Sequence, residues 1–129
     1  MVNIVTAPLA NKMAISGEHV APNVDEFAYA GLTPAASEVV SVPRVEESPV
    51  SMECELQQVI PLGDDHLVIG KVVRFHVQDE LYHNGRIDTK KLAPIGRLAG
   101  NYSPVESMFS LPNERLGEYL QPLVDKDRD

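Results

Sequence analysis

A short segment near the end of the chain, residues 97–102, carries side chains that could bind a ligand. Arg97 can pair with a phosphate or a carboxylate, and Tyr102 can pack against a flat ring. Gly100 lets a ligand approach the backbone closely because it has no Cβ. The segment is therefore a candidate binding site, and the alternative is an ordinary surface loop with a structural arginine.

The histidines are the next residues that could do chemistry. His66 follows the acidic turn of residues 63–65 and begins a long predicted strand, where the alternative is an exposed turn histidine. His66 and His76 share one face of that strand, but ten residues of strand separate them by roughly 33 Å. No metal-binding spacing links the four histidines or joins them to cysteines, and we predict no metal site.

The β-type run at residues 50–60 contains the only cysteine and two carboxylates. Cys54 lies between Met52 and Leu56 on the apolar face, which predicts an inert core residue rather than a nucleophile. Glu53 and Glu55 alternate with it, which predicts a solvated face. The chain has no serine nucleophile motif, dinucleotide-binding fingerprint or P-loop. We therefore assign no catalytic residue from the sequence.

Composition limits the classes of partner. A chain of 129 residues suits one domain, and its formal net charge of −8 argues against nucleic acid binding. Apolar stretches are only strand-sized and no basic cluster is present, so we expect no membrane partner. A single cysteine fits a reducing compartment, and we predict a cytoplasmic protein.

Helix signals are confined to the N-terminal third, after a short β-type run at residues 2–6. Residues 7–16 fit a helix, with Pro8 in its first turn and Gly17 after its end. Asn23 with Glu26 three residues later predicts the start of a second, short helix that ends at Gly31.

The rest of the pattern is typical of strands and loops. Val39, Val40 and Val42 predict a strand, and residues 50–60 and 66–77 predict a hairpin of two long strands. Gly70 within the second long strand predicts a bulge or bend. Residues 80–104 are expected to be mostly loop, and residues 108–111 a last short strand.

Four segments, taken in order, closely resemble the flavin-reductase-like domain, the FMN-binding split β-barrel family. They are residues 24–34, 65–73, 81–88 and 92–102. The resemblance implies a mainly β fold, a partial six-stranded Greek-key split barrel with two short N-terminal helices. Residues 1–112 would form the split-barrel domain without its N-terminal half, and residues 113–129 a charged C-terminal tail.

The resemblance also implies a function. Members of this family bind FMN, often at a homodimer interface, and many reduce it with NADH or NADPH for a partner oxygenase. In the family, the segment corresponding to residues 97–102 lies beside the flavin. Arg97, Gly100, Asn101 and Tyr102 would therefore line the flavin pocket, and His66 would lie at its mouth.

Only the second half of the family's domain is recognisable. Three explanations are open: a fragment of a longer protein, a chain that completes its barrel with another chain, or a non-catalytic relative. Half a barrel leaves strand edges unpaired and apolar faces uncovered. The alternative function is therefore a non-enzymatic interaction module that pairs its open barrel edge with a partner chain.

Overall fold

A long antiparallel hairpin dominates the computed structural model, which describes residues 1–105 and 107–108. Strands β4 (Val50–Leu62) and β5 (Asp65–Val77) form it, and β1 (Val2–Asn3) pairs with the start of β4. Gly63 opens the tight turn with a φ of +64°, a conformation that favours glycine. The predicted hairpin of two long strands is confirmed.

The pairing of β4 with β5 is interrupted twice, between Glu53 and Cys54 and between Leu56 and Gln58. Gly70 pairs with Leu56 at the second irregularity. A Cβ on Gly70 would lie 3.2 Å from the Cβ of Cys54, so a larger residue there would require the two strands to shift by a few tenths of an ångström. The predicted bulge is therefore confirmed, with its extra residue on β4.

The remaining elements are short. The helices are α1 (Ala10–Ser16), α2 (Glu26–Ala30) and α3 (Thr89–Leu92). One 3₁₀ turn, Ala7–Leu9, directly precedes α1, and another, Asp79–Leu81, follows the long hairpin. Three two-stranded sheets complete the fold: β2 (Pro34–Ala35) with β3 (Arg44–Val45), β6 (Tyr82–His83) with β7 (Arg86–Ile87), and β8 (Ile95–Leu98) with β9 (Asn101–Pro104). The architecture is mainly β with few short helices and open sheets, as predicted.

The two predicted N-terminal helices form, but the start of the second differs from the prediction. Asp25, not Asn23, caps α2, and its carboxylate accepts a hydrogen bond from the backbone N–H of Phe27 at 3.0 Å. Gly31 ends the helix with a φ of +65°, as the sequence indicated.

Two predictions about the strands are wrong. Val39, Val40 and Val42 lie in a bent loop rather than a strand. Residues 80–104 are not mostly loop, because they hold α3 and the short hairpins β6–β7 and β8–β9. The predicted strand at 108–111 lies mainly outside the described residues, and the domain boundary after residue 112 lies wholly outside them.

A small apolar core joins the base of the long hairpin to the segment that follows it. Val50, Leu81 and Leu92 are buried together, and Val77 packs against them. The outer part of the hairpin beyond Cys54 is exposed instead. No helix among the described residues is long and apolar enough to cross a membrane.

Candidate functional site

The predicted binding segment forms the β8–β9 hairpin. Arg97 pairs with Tyr102 across the two strands, and its guanidinium lies over the tyrosine ring, 6.0 Å from the centroid. Ala99 and Gly100 form the turn, in which the N–H of Gly100 donates to the carbonyl of Leu98 at 2.8 Å. All the residues from 97 to 102 are exposed, so the hairpin presents a cation and a ring to solvent.

The base of this hairpin is fixed to the N-terminal segment. Ile95 donates its N–H to the carbonyl of Val5 at 3.0 Å, and Pro94 forms a bridge with Thr6. Val105 closes the hairpin by donating to the carbonyl of Pro94 at 2.9 Å. Backbone contacts therefore fix the base of the hairpin, while its turn is exposed.

The turn has the chemistry that close approach of a ligand requires. A Cβ placed on Gly100 would meet no atom of the described residues within 4 Å, so none of them fills the space beside its backbone. Ala99 has a φ of +50°, in the left-handed region where glycine is favoured. None of the ion pairs among the described residues involves Arg97.

His66 lies on a different hairpin. It pairs with Pro61 near the turn of β4–β5 and is exposed. No hydrogen bond or ion pair within the described part of the chain joins it to residues 97–102. The structure therefore brings Arg97, Gly100, Asn101 and Tyr102 together on the β8–β9 hairpin. His66 lies apart from them on the β4–β5 hairpin.

Sequence reasoning missed a buried carboxylate. Glu53, predicted on a solvated face, is 0% exposed. Its carboxylate accepts the backbone N–H groups of Glu38 at 2.8 Å, Val39 at 2.7 Å and Val40 at 2.9 Å. His76 Nε2 lies 2.6 Å from the same carboxylate. Glu53 therefore holds the loop that the valine pattern had suggested was a strand.

The hydrogen bonds keep this carboxylate ionised. Burial alone raises the pKa of Glu53, but the N–H of Glu38, the His76 ring and the N–H groups of Val40 and Val39 outweigh it and lower the pKa to about 2. An ionised carboxylate accepts all of these donors, whereas a protonated one loses acceptor capacity. The arrangement is an anchor for the loop, and every acceptor position that the structure describes on Glu53 faces a donor of this protein.

Two exposed aromatic side chains border an open cleft that sequence reasoning also missed. Phe75 is 59% exposed and Tyr82 is 55% exposed. They line a cleft of about 520 Å³ together with Val77, Asp79 and Ile87. The described residues hold no cluster of three or more potential metal ligands.

Cys54 differs from its predicted core environment. It is partly exposed and lines an open apolar groove beside β1. Its sulfur lies 3.6 Å from the carbonyl of Met52, within the same strand. The reason is that only the first residues of β4 reach the core, so the apolar face continues into solvent.

Comparison with known proteins gives a consistent result. Residues 1–91 match the family model described as the flavin reductase like domain. This span includes His66, whereas the β8–β9 hairpin lies beyond it. A protein of Aquifex aeolicus is 41% identical over 79% of this chain and 53% of its own length.

Solved structures show the same similarity. The nitrilotriacetate monooxygenase component B from Bacillus cereus superposes with a TM-score of 0.80 and 43% identity, covering 85% of this chain and 58% of that one. Flavoredoxin of Desulfovibrio vulgaris gives a TM-score of 0.73 and 25% identity, covering 89% and 62%. The chain thus spans between half and two thirds of the length of these proteins. A structure described as a putative flavin reductase with a split barrel domain, from Shewanella frigidimarina, shares the fold with a TM-score of 0.75. The split-barrel prediction is confirmed.

Proposed function

The chain belongs to the flavin reductase-like domain family, and from this membership we propose that it binds FMN and takes part in flavin reduction with NADH or NADPH. The exposed pair of Arg97 and Tyr102 carries the proposal for the site. A guanidinium and an aromatic ring on one hairpin provide an anion contact and a flat packing surface.

The described residues fit one wall of an FMN site. Arg97 would pair with an anionic group of the cofactor, and Tyr102 would pack against the ring system. Gly100 would allow close approach, because no atom of residues 1–105 lies within 4 Å of its Cβ position. Asn101 would add a polar contact from the same turn, and His66 is the proposed residue at the mouth of the pocket.

Bound FMN would supply the redox centre, while the protein would bind and orient it. Arg97 would fix the orientation of the cofactor through its charge, and Tyr102 would exclude water from one ring face. We assign no residue to proton transfer, because none of the proposed site residues has a hydrogen-bonded acid or base beside it among the described residues.

The proposal extends to partners. The B. cereus protein is by its description a component of a monooxygenase, so a flavin-dependent oxygenase is the proposed partner of this chain too. A homodimer is proposed because apolar side chains are exposed along the β4–β5 hairpin. A cytoplasmic location stays a prediction.

A titration of FMN fluorescence tests the binding proposal. The purified chain should quench FMN fluorescence saturably. Arg97→Gln should raise the Kd by about tenfold or more, since charge-assisted hydrogen bonds contribute about 1.5–3 kcal/mol. Arg86→Gln is the matched control, because Arg86 is another exposed arginine on a short hairpin.

The proposal is wrong if the folded chain leaves FMN fluorescence unchanged at saturating concentrations, or if both arginine variants weaken binding equally. Oxidation of NADH or NADPH in the presence of FMN, followed by absorbance, then separates a reductase from a flavin-binding protein without that activity. Binding without nicotinamide oxidation would keep the site and overturn the reductase.

A non-enzymatic interaction module is the second candidate function. The observation that favours it is the open sheet, in which no other strand of residues 1–105 pairs with one side of β4 beyond Met52. A folded chain that binds no FMN but forms a stoichiometric complex through this sheet would support the module over the reductase.

A further inference from the structure

The cleft between the end of β5 and the β6–β7 hairpin has two aromatic side chains and one carboxylate in its walls. Phe75 and Tyr82 line it together with Val77, Ile87 and Asp79. Asp79 is the only charged residue among the described residues of this lining. We call this cleft the aromatic cleft.

The residues of one wall are fixed by the core beneath them. Leu81 is 4% exposed and belongs to the small apolar core. It lies between Asp79 and Tyr82 in the chain, and its carbonyl accepts the N–H of Asp88 at 2.8 Å. Tyr82 is in turn paired with Ile87 across the β6–β7 hairpin. The carboxylate and one of the two rings are therefore held in place before any ligand arrives.

The basic side chains of β5 lie on the other face of the strand. Arg74 and His76 flank Phe75 in the chain, and side chains alternate between the two faces of a strand. Arg74 forms an ion pair with Glu38, and His76 Nε2 lies 2.6 Å from the Glu53 carboxylate. Neither basic residue lines the aromatic cleft.

The β6–β7 hairpin separates its residues in the same way. Tyr82 pairs with Ile87, and the next pair, His83 with Arg86, therefore points to the opposite face. His83 Nε2 lies 2.9 Å from the carbonyl oxygen of Glu80, away from the cleft. Both elements thus turn an apolar or aromatic face towards the cleft and a basic face away from it.

This separation decides which charge the cleft favours. The faces of aromatic rings attract cations, and a carboxylate beside them adds to that attraction. An anion would meet Asp79 without a balancing cation in the described lining. A quaternary ammonium group suits such a lining because it donates no hydrogen bond and its methyl groups pack on apolar walls.

We propose that the aromatic cleft binds the quaternary ammonium group of a small organic cation. The methyl groups contact Phe75 and Tyr82, and the charge lies near Asp79. The cleft has a volume of about 520 Å³, which leaves room for the rest of a small ligand. The proposal is independent of the proposed flavin site, because none of residues 97–102 lines the cleft.

A titration of the full chain with choline, followed by NMR, tests the proposal without flavin. Choline should shift the backbone amides of residues 75–87 and the ring signals of Phe75 and Tyr82, and the shifts should saturate. The matched ligand is the uncharged isostere in which a tert-butyl group replaces the trimethylammonium group. It should bind at least about fivefold more weakly, since it loses the cation–π and carboxylate contacts. Ionic strength is kept equal with sodium chloride.

Two pairs of variants locate the contact. Tyr82→Leu and Asp79→Asn should each raise the Kd for choline by about two- to fivefold. Tyr29→Leu and Asp64→Asn are the matched controls, because both residues are exposed and lie outside the cleft. All four positions are exposed, so we expect each variant to keep the dispersed amide spectrum of the wild type.

The other outcomes overturn the proposal. Equal binding of choline and its isostere means an apolar cleft without preference for charge. Equal binding of choline and ethanolamine means that the carboxylate acts without the rings. Tighter binding of the N-methylpyridinium cation than of choline assigns the cleft to a flat ring instead. Absence of saturable shifts in residues 75–87, or equal effects of the variants and their controls, means that the cleft does not bind the cation.

Discussion

At the scale of single residues, Glu53 shows how a buried charge organises a loop. Its carboxylate accepts three backbone N–H groups from residues 38–40 and contacts the His76 ring. A buried carboxylate is tolerated when its acceptor positions are filled, and here the loop and β5 fill them. The loop therefore has a fixed path although it lacks regular secondary structure.

Replacement of Glu53 tests this role. Glu53→Gln removes the charge and turns two acceptor sites into one acceptor and one donor, so the donor faces backbone N–H groups. We expect the Tm at pH 7 to fall by on the order of 5 °C. Glu55→Gln, at an exposed position two residues along β4, should leave the Tm unchanged.

The effect of Glu53→Gln on stability should depend on pH. An ordinary Glu titrates near 4.5, whereas the pKa of Glu53 in the folded protein is about 2. Its contribution to stability is therefore complete above pH 4.5 and is lost as the pH falls towards 2. Calorimetry from pH 7 to pH 3 should show the difference between wild type and Glu53→Gln shrinking with acid, and a constant difference would contradict this account.

At the scale of elements, the turn of β8–β9 has an alanine, not its glycine, in the left-handed conformation. Ala99 has a φ of +50°, while Gly100 has no positive φ. Neither a positive φ nor a close contact with the described residues requires a glycine at position 100, so its role here is the proposed approach of a ligand. Ala99 thus sets the geometry of the turn, and Gly100 is the residue beside which the ligand would approach.

Ala99→Gly should stabilise the protein. Removing the Cβ relieves about 1–2 kcal/mol of left-handed strain, and the greater freedom of glycine in the unfolded chain offsets about 0.5–1 kcal/mol of it. We expect a net gain of about 0.5–1 kcal/mol in urea unfolding. Ala14→Gly, at an exposed position inside α1, should instead destabilise by a similar amount.

Local signals predicted the elements well where one residue type decides the conformation. Gly63 and the alternating pattern on either side of it predicted the long hairpin, and Gly31 predicted the end of α2. The burial of Glu53 could not be predicted, because its donors come from residues 13 to 15 positions earlier in the chain. Val39 and Val40 match strand propensity, but contacts with Glu53 override that preference.

At the scale of the whole molecule, both faces of the β4–β5 hairpin carry exposed apolar residues. Val59 pairs with Val68, and the next pair, Ile60 with Leu67, points to the opposite face. The apolar groove that Cys54 lines includes Val68 and lies on the first of these faces only. A second copy on the other face would cover Leu67, which is the surface we assign to the proposed homodimer.

Light scattering checks this assignment. The wild-type chain should run as a dimer at micromolar concentration, and Leu67→Glu should weaken the dimer by at least tenfold because it buries a charge without a partner. Leu98→Glu serves as the control, because Leu98 is also exposed but lies on a different hairpin. A dimer that both variants leave intact would place the contact elsewhere.

The position of Cys54 gives the protein a built-in chemical probe. It is the one cysteine in the 129 residues, and it lies partly exposed in the open apolar groove beside β1. A thiol-alkylating reagent therefore modifies a single, known position without any mutagenesis. Alkylation kinetics read by mass spectrometry become a footprint of that surface, slow when it is covered and fast when it is open, even in a crude cell extract.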